Sequence, residues 1–163
     1  MSTNEQQLAW IARAAVILDS FCRLLGRELM PRSGSPSADA ALLYEFPLAV
    51  LAHNTADLPL LDWVNCAAAA AFETTPECLL GRPSAATTPA DATADRAQLF
   101  ESIRQSGFTT GYSGTRIGLT GRRFVIEDTT LLSLQDPEGN PAGHAAIIGN
   151  IRPETTFCYK TSP

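Results

Sequence analysis

The first 30 residues carry an amphipathic helical pattern. Apolar residues recur at alternating steps of three and four, which is the spacing of one helix face, and they predict a helix over residues 4–29. Three heptads are short for a stable coiled coil. The helix therefore either caps the sheet of its own domain or also pairs with its copy in a second subunit. The apolar stripe that would form the dimer contact consists of Leu8, Ile11, Ala15, Leu18, Cys22 and Leu25.

A linker rich in Pro, Gly and Ser over residues 31–36 separates this helix from the next elements. A short helix then runs from Ser37 to Tyr44, and two short apolar runs, 48–53 and 60–65, have the length of strands and predict a hairpin with a long loop. Three helical segments follow. They are an Ala-rich helix over 66–72, a short helix that begins at Thr75 and ends at Gly81, and a helix over 95–105 whose residues Leu99, Phe100 and Ile103 face inward.

Three strands then close the predicted domain as an antiparallel meander. They span residues 108–120, 124–135 and 143–151, and a strong turn signal at 136–140 joins the last two. A lone hairpin is marginal, so the two earlier strands are expected to join the same sheet. The predicted fold class is α+β: a five-stranded antiparallel sheet with helices on one face, a cavity between them, and an N-terminal amphipathic helix. The tail, 153–163, is expected to be flexible.

Composition limits the range of functions. The chain has 163 residues, enough for one domain with an ordinary core, and a formal net charge of −5. That charge argues against sequence-independent binding of nucleic acid through a broad basic face. A local basic cluster, Arg116, Arg122 and Arg123, is flanked by acidic residues and is interpreted as a solvated strand face and hairpin end.

The four cysteines do not form a pair with metal-ligand spacing. Cys22, Cys66, Cys78 and Cys158 lie far apart and no C-x-x-C motif is present, so no metal site is expected. The N-terminus lacks a cationic segment ahead of an apolar run, and no apolar stretch reaches the ~20 residues of a membrane span. We therefore expect a cytoplasmic protein with reduced thiols and no membrane contact.

The order of elements and several short motifs resemble a PAS domain. Residues 63–68 (Trp-Val-Asn-Cys-Ala-Ala) resemble the strand that ends in Asn before an Ala-containing helix, and residues 77–83 resemble the helix that ends in Leu-x-Gly. More narrowly, the chain resembles the MEKHLA domain family, a PAS relative, over roughly residues 15–150. The similar stretches are 18–20 with 26–29, 43–45 with Pro47, 50–53, 112–114 with 116–117, 121–124, 126–128 with Thr130, and Gly143 with 145–146.

This resemblance implies a sensory or regulatory module at residues 37–152. The family occurs as stand-alone bacterial and algal proteins and at the C-terminus of plant homeodomain–leucine zipper transcription factors. It implies a small-molecule ligand or a separate effector protein as partner. A homodimer is expected from the apolar stripe of the N-terminal helix. Two positions depart from the family: Leu132 stands where Trp is usual and His144 where Gln is usual. Both departures alter the size and polarity of a pocket.

The alternation of side chains along the predicted strands indicates which residues could line a pocket. Asp128 falls on the same face of the strand 124–135 as four apolar residues, and a carboxylate there requires a partner or a solvated cavity. Alternatively, a bulge near Asp128 flips the parity and places it in solvent. Arg116 on the neighbouring strand is a possible partner, as a structural pair or as a grip on an anionic ligand. The ten candidate ligand-binding residues are Asn65, Phe72, Tyr112, Arg116, Phe124, Ile126, Asp128, Leu132, Leu134 and His144.

Three function classes remain open. The first is a ligand-binding sensor. The second is a small acid–base enzyme that uses His53, Asp128 and Tyr112 in the same cavity, and the third is an interaction domain with a filled core. His53 and His144 are expected on neighbouring strands, with His144 either hydrogen-bonding a ligand or facing water at the sheet edge. No cofactor is predicted: flavin is disfavoured because no Asn-Cys-Arg-Phe motif is present, and haem because a ligating role for either histidine is the weaker interpretation.

Overall fold

The computed structural model describes residues 2–155, and its longest helix has well-defined caps at both ends. The first helix starts with a capping box in which Ser2 and Glu5 exchange hydrogen bonds, and it stops at Gly26, whose left-handed backbone (φ 71°) ends it earlier than predicted. The helices are α1 (Thr3–Leu25), α2 (Pro36–Tyr44), α3 (Cys66–Ala71), α4 (Pro76–Leu79) and α5 (Thr93–Ser106), with 3₁₀ turns at Ser84–Thr87 and Ala90–Ala92.

The strands form one antiparallel sheet in the order β2-β1-β5-β4-β3. A sixth strand, which was not predicted, continues from β5 and pairs with the first half of β4, while β5 pairs with the second half. The strands are β1 (Ala49–His53), β2 (Leu61–Val64), β3 (Phe108–Ile117), β4 (Arg123–Gln135), β5 (Pro141–Ile148) and β6 (Asn150–Pro153). The α+β fold class is confirmed. The predicted tail lies largely outside the described residues, which end at 155, as does Cys158.

Helices cover both faces of this sheet. The helices α3, α4 and α5, which follow β2, lie on one face, as predicted for the helices between the strands. Helix α2 lies with α1 on the opposite face, where Ala40 and Leu43 join the core beneath α1. Within the described chain, no helix combines the length and the apolar character that a bilayer crossing requires.

Helix α1 caps the sheet of its own domain. Its fully buried positions, Ala14, Ile17, Leu18 and Phe21, are rotated from the stripe seen in the sequence, and only Leu18 belongs to both sets. Leu8 is 57% exposed, and the other four stripe residues, Ile11, Ala15, Cys22 and Leu25, are partly buried. The apolar face of α1 thus packs mainly on its own core, and pairing with a second copy stays a prediction.

Polar contacts fix α1 to one end of the sheet. Arg13 forms an ion pair with Asp62 of β2 and donates hydrogen bonds to the carbonyl oxygens of His53 (3.0 Å) and Ala142 (2.7 Å). At the same end, the Ser20 hydroxyl accepts a hydrogen bond from the backbone N–H of Gln135, which pairs with Pro141 at the start of β5, at 3.1 Å. Arg13 therefore contacts three strands, β1, β2 and β5. These contacts hold α1 in one orientation over the sheet.

A kink in β4 decides which residues face which side. Asp128 has a left-handed backbone (φ 48°) and lies opposite Gly149, where β5 breaks into β6. A Cβ at Gly149 would lie 2.5 Å from the carbonyl oxygen of Asp128, so only glycine fits this close approach. The kink flips the alternation of side chains. Ile126 before it and Leu131 after it therefore share the face under α3–α5, while Leu132 packs under α1.

Candidate functional site

A cavity lies between the sheet and the helices α3 and α5. Its volume is about 70 Å³, counted as the space open to the centre of a water-sized sphere. Aliphatic and aromatic side chains form most of its wall, and no aspartate or glutamate among the described residues lines it. Six polar or ionisable side chains interrupt the apolar wall: His53, Ser84, Thr87, Arg96, Arg116 and His144. A mostly apolar cavity with a few convergent polar groups is the usual form of a small-molecule site.

Arg116 brings a buried positive charge to this cavity. The residue is only 8% exposed. Its Nη1 donates to the carbonyl oxygen of Thr115 at 2.8 Å, and both terminal nitrogens lie 3.5 Å from the hydroxyl of Tyr112, at the limit of a hydrogen bond. Within residues 2–155, no carboxylate lies within ion-pair distance of this guanidinium. The prediction of a solvated Arg116 is therefore wrong.

Arg96 supplies a second guanidinium from helix α5. Its Nη2 donates to the hydroxyl of Ser84 at 2.8 Å, and its Cζ lies 4.7 Å from the centroid of the Phe100 ring. Burial lowers the pKa of Arg96 from its usual value, and the positive charge of Arg116 lowers it further. The two positive charges are thus near enough to repel each other, and in the described chain Arg96 has no ion-pair partner.

Two histidines meet at one end of the cavity. His53 of β1 and His144 of β5 are direct partners in the sheet register, and their ring centroids are 5.2 Å apart, which confirms that the two imidazoles approach each other. Burial lowers the pKa of His53. Burial, then His53, then the charge of Arg96 lower the pKa of His144 to about 4. Both rings are therefore neutral at pH 7. Because β5 lies between β1 and β4, the sheet-edge position proposed for His144 is wrong.

The tautomer of His53 follows from its hydrogen bond. Its Nδ1 lies 3.0 Å from the carbonyl oxygen of Asn54, and a neutral ring can make that bond only with the proton on Nδ1. Nε2 is then an acceptor, and it is buried with no partner among the described residues. His53 therefore offers the cavity a hydrogen-bond acceptor, in contrast to the donors of the two arginines.

An aromatic cluster separates this cavity from an outer cleft. The ring of Phe100 lies 5.9 Å from that of His53 and 5.0 Å from that of His144. All three side chains, together with Arg96, line both the cavity and the cleft, which opens beside the β4–β5 turn. The cluster thus forms a shared wall of the cavity and the cleft.

Four of the ten candidate residues line this cavity: Phe72, Arg116, Ile126 and His144. Phe124 packs on Phe72, with ring centroids 5.0 Å apart, and Tyr112 packs beside Arg116, so both support the wall without lining it. Whether any of these residues binds a ligand stays a prediction.

The other four candidates lie elsewhere. Asp128 is exposed, because the kink turns it to solvent, and it does not pair with Arg116. Leu132 and Leu134 face α1, because the same kink flips their parity. The proposed acid–base group of His53, Asp128 and Tyr112 is not assembled at the cavity, since only His53 lines it.

Asn65, the last of these four, holds elements of the fold together instead of lining the cavity. It is fully buried at the N-cap of α3, and its Oδ1 accepts hydrogen bonds from the backbone N–H groups of Val50 and Ala68, both at 2.9 Å. Its Nδ2 donates to the carbonyl oxygens of Leu43, Phe46 and Leu48. The side chain therefore ties α2, β1 and α3 together and has no remaining capacity for a ligand.

Sequence reasoning missed Arg96, although a signal for it was present. Arg96 precedes Leu99, Phe100 and Ile103 by three, four and seven residues, which places it on the inward face of α5. A charged residue on such a face indicates a polar site beneath the helix. Leu131 was missed because the kink at Asp128 cannot be located from the strand pattern alone.

Comparisons with solved structures agree on the fold. A PAS domain from Colwellia psychrerythraea is 16% identical, with a TM-score of 0.60, over 71% of this chain and 95% of that one. A light-oxygen-voltage domain studied with a flavin analogue is 15% identical, with a TM-score of 0.54, over 69% and 82% of the two chains. A PAS domain of a LuxR-family transcriptional regulator from Burkholderia thailandensis, solved with ethanol, is 16% identical, with a TM-score of 0.53, over 66% and 92%.

Sequence comparison identifies the family. No curated protein matches the chain. The model of the MEKHLA domain matches residues 11–152, which includes most of α1, strands β1 to β5 and most of β6. The predicted resemblance is confirmed by this match and by the PAS domains among the structural neighbours. The chain belongs to the MEKHLA domain family, within the PAS-like fold.

Proposed function

We propose that this MEKHLA domain is a sensory module that holds a small, partly apolar ligand in the cavity between α5 and the sheet. The observation that carries the proposal is Arg116, a buried guanidinium with no carboxylate partner in residues 2–155, set in a wall that is otherwise mainly apolar. A buried charge is costly unless another group compensates it. A ligand in the cavity would supply that compensation.

The size of the cavity agrees with a small organic ligand. The space open to the centre of a water-sized sphere, about 70 Å³, exceeds what a single water needs. The structural neighbour from Burkholderia thailandensis was solved with ethanol, which supports the idea that a PAS domain can accommodate a small organic molecule. The alternative function, an interaction domain with a filled core, does not explain why two arginines line a cavity.

The output of such a sensor would pass through α1. Arg13 of α1 donates a hydrogen bond to the carbonyl oxygen of His53, whose ring lines the cavity. A ligand that shifts His53 would therefore also shift the anchor of α1. We also propose that α1 contacts either a second copy of the chain or a separate effector protein. The proposed site of action is the cytoplasm.

The test is a fragment screen by ¹H–¹⁵N NMR with short-chain alcohols, ketones, amides and carboxylates. We expect the shifts caused by a bound fragment to cluster on Arg116, His144 and Ala146. The variant Ala146→Leu, which places three further carbon atoms at the cavity wall, should abolish them. Val16→Leu on α1 adds one carbon atom away from the cavity and serves as the control. Fragment shifts confined to α1, or unchanged in Ala146→Leu, would refute the proposed cavity.

A further inference from the structure

We propose that the ligand of this cavity is a small carboxylate with a short apolar chain, held by the guanidinium groups of Arg116 and Arg96. The inference rests on the proposed function, that the cavity holds a small ligand, and it adds the chemical class. Three features of the described chain carry it: the two arginines, the absence of acidic residues from the wall, and the apolar remainder of that wall.

The charges around the cavity favour an anion. Arg96 and Arg116 give the wall two positive charges, the described lining residues include no aspartate or glutamate, and the two histidines are neutral. The potential inside the cavity is therefore positive. Attraction between opposite charges is stronger in a mainly apolar, partly enclosed site than in water, so the cavity favours an anion over a neutral molecule of equal size.

Both arginines keep hydrogen-bond donors for a ligand. The described contacts of Arg116 are the carbonyl oxygen of Thr115 and the distant hydroxyl of Tyr112, and the described hydrogen bond of Arg96 goes to Ser84. A guanidinium has five N–H donors, so these contacts leave donors over on each side chain. Planar guanidinium groups match the two oxygens of a carboxylate, and Arg–carboxylate hydrogen bonds are about twice as strong as neutral ones.

The remaining wall of the cavity selects an apolar chain. Leu51, Leu99, Ile126, Leu131 and Ile148 contribute aliphatic wall around the arginines, and Phe72 closes the side towards α3. Such a wall favours an apolar chain over a second polar group. With about 70 Å³ open to the centre of a water-sized sphere, the cavity suits a short-chain molecule, and butyrate serves as the probe.

The experiment measures binding of four probes to the full chain by isothermal titration calorimetry. Butyrate carries the charge and the chain, butyramide and 1-butanol carry the chain without the charge, and inorganic phosphate carries charge without the chain. We expect butyrate to bind about 10- to 100-fold more tightly than butyramide, the range for hydrogen bonds to a charged group. Phosphate should bind at least about tenfold more weakly than butyrate, because it leaves the aliphatic wall unfilled.

Variants assign the effect to the arginines. Arg116→Gln should weaken butyrate binding by about tenfold or more and change butyramide binding little. Arg96→Gln alters a partly exposed side chain and serves as the second variant if Arg116→Gln does not fold. The matched control is Arg122→Gln, because Arg122 is exposed and pairs with Glu73 outside the cavity.

The outcomes separate the inference from the proposed function. Equal affinities for butyrate and butyramide, equal affinities for butyrate and phosphate, or butyrate binding that survives both arginine substitutions would overturn the carboxylate assignment. If neutral fragments bind in the cavity by NMR while butyrate does not, the inference fails and the proposed function stands. If neither the fragments nor the four probes bind there, both fail.

Discussion

His144 should make the stability of the domain depend on pH, and His144→Gln should remove that part of the dependence. The ring of His144 is held between His53 of β1 and Phe100 of α5, with the charge of Arg96 nearby and Ser133 opposite it in β4. Burial is the largest cause that lowers its pKa to about 4, followed by the repulsion from His53 and Arg96. Glutamine is uncharged at every pH and has no such penalty.

The sign and size of the effect follow from proton linkage. The pKa of His144 is about 4 in the folded state, against 6.5 for an unperturbed imidazole. The unfolded chain therefore binds more protons between these values, so the free energy of unfolding falls as the pH drops below 6.5. From pH 8 to pH 5 this loss would be about 2 kcal/mol without solvent screening. Because His144 is partly exposed, we expect about 1 kcal/mol.

The assay is urea denaturation of both proteins at pH 8, 7, 6 and 5. The stability of the original protein should fall across this range by about 1 kcal/mol more than that of His144→Gln. The difference should grow below pH 6.5 and vanish above pH 7.5. Because His53 and His144 repel each other, the difference between the two proteins reports the titration of His144 together with its coupling to His53. Identical pH profiles for the two proteins, or an original protein that gains stability relative to the variant as the pH falls, would refute a buried neutral His144.

Three further predictions concern stability and follow from packing. Asn65→Ala should cost about 3 kcal/mol or more, because it leaves buried N–H and carbonyl groups of three elements without partners. Phe21→Ala should cost about 3–5 kcal/mol, since Phe21 is 1% exposed beneath α1, whereas Leu8→Ala should change stability by less than about 0.5 kcal/mol. Gly149→Ala should cost about 2 kcal/mol, because its Cβ would meet the carbonyl oxygen of Asp128 at 2.5 Å.

Urea denaturation at pH 7.5 measures all three. Asn54→Ala is the control for Asn65→Ala: Asn54 accepts two backbone hydrogen bonds in an open turn, and its loss should cost about 1 kcal/mol. A similar cost for both asparagines would contradict the role assigned to Asn65. Equal effects of Phe21→Ala and Leu8→Ala would contradict the orientation of α1, and an unchanged stability of Gly149→Ala would contradict the close approach at the kink.

Local patterns determined much of this protein. The periodicity of residues 4–29 specified a helix, the turn residues at 136–140 separated two strands, and the motifs at 63–68 and 77–83 indicated the PAS-like order of elements. These signals are local: a cap, a turn or a repeat of apolar residues acts within a few positions along the chain. For that reason the fold class, the family and most element boundaries could be read before any contact was known.

The tertiary structure decided which face each residue occupies. One left-handed residue, Asp128, flips the alternation of β4, so it removed Leu132 and Leu134 from the cavity and brought in Leu131. The face of α1 that is buried depends in the same way on the sheet beneath it, which selected Phe21 over Leu8. The cavity itself arises where α5 lies over β3 and β5 and brings Arg96 near Arg116. Such contacts join residues that are distant in sequence. The distance between two such residues in the fold cannot be derived from their spacing along the chain.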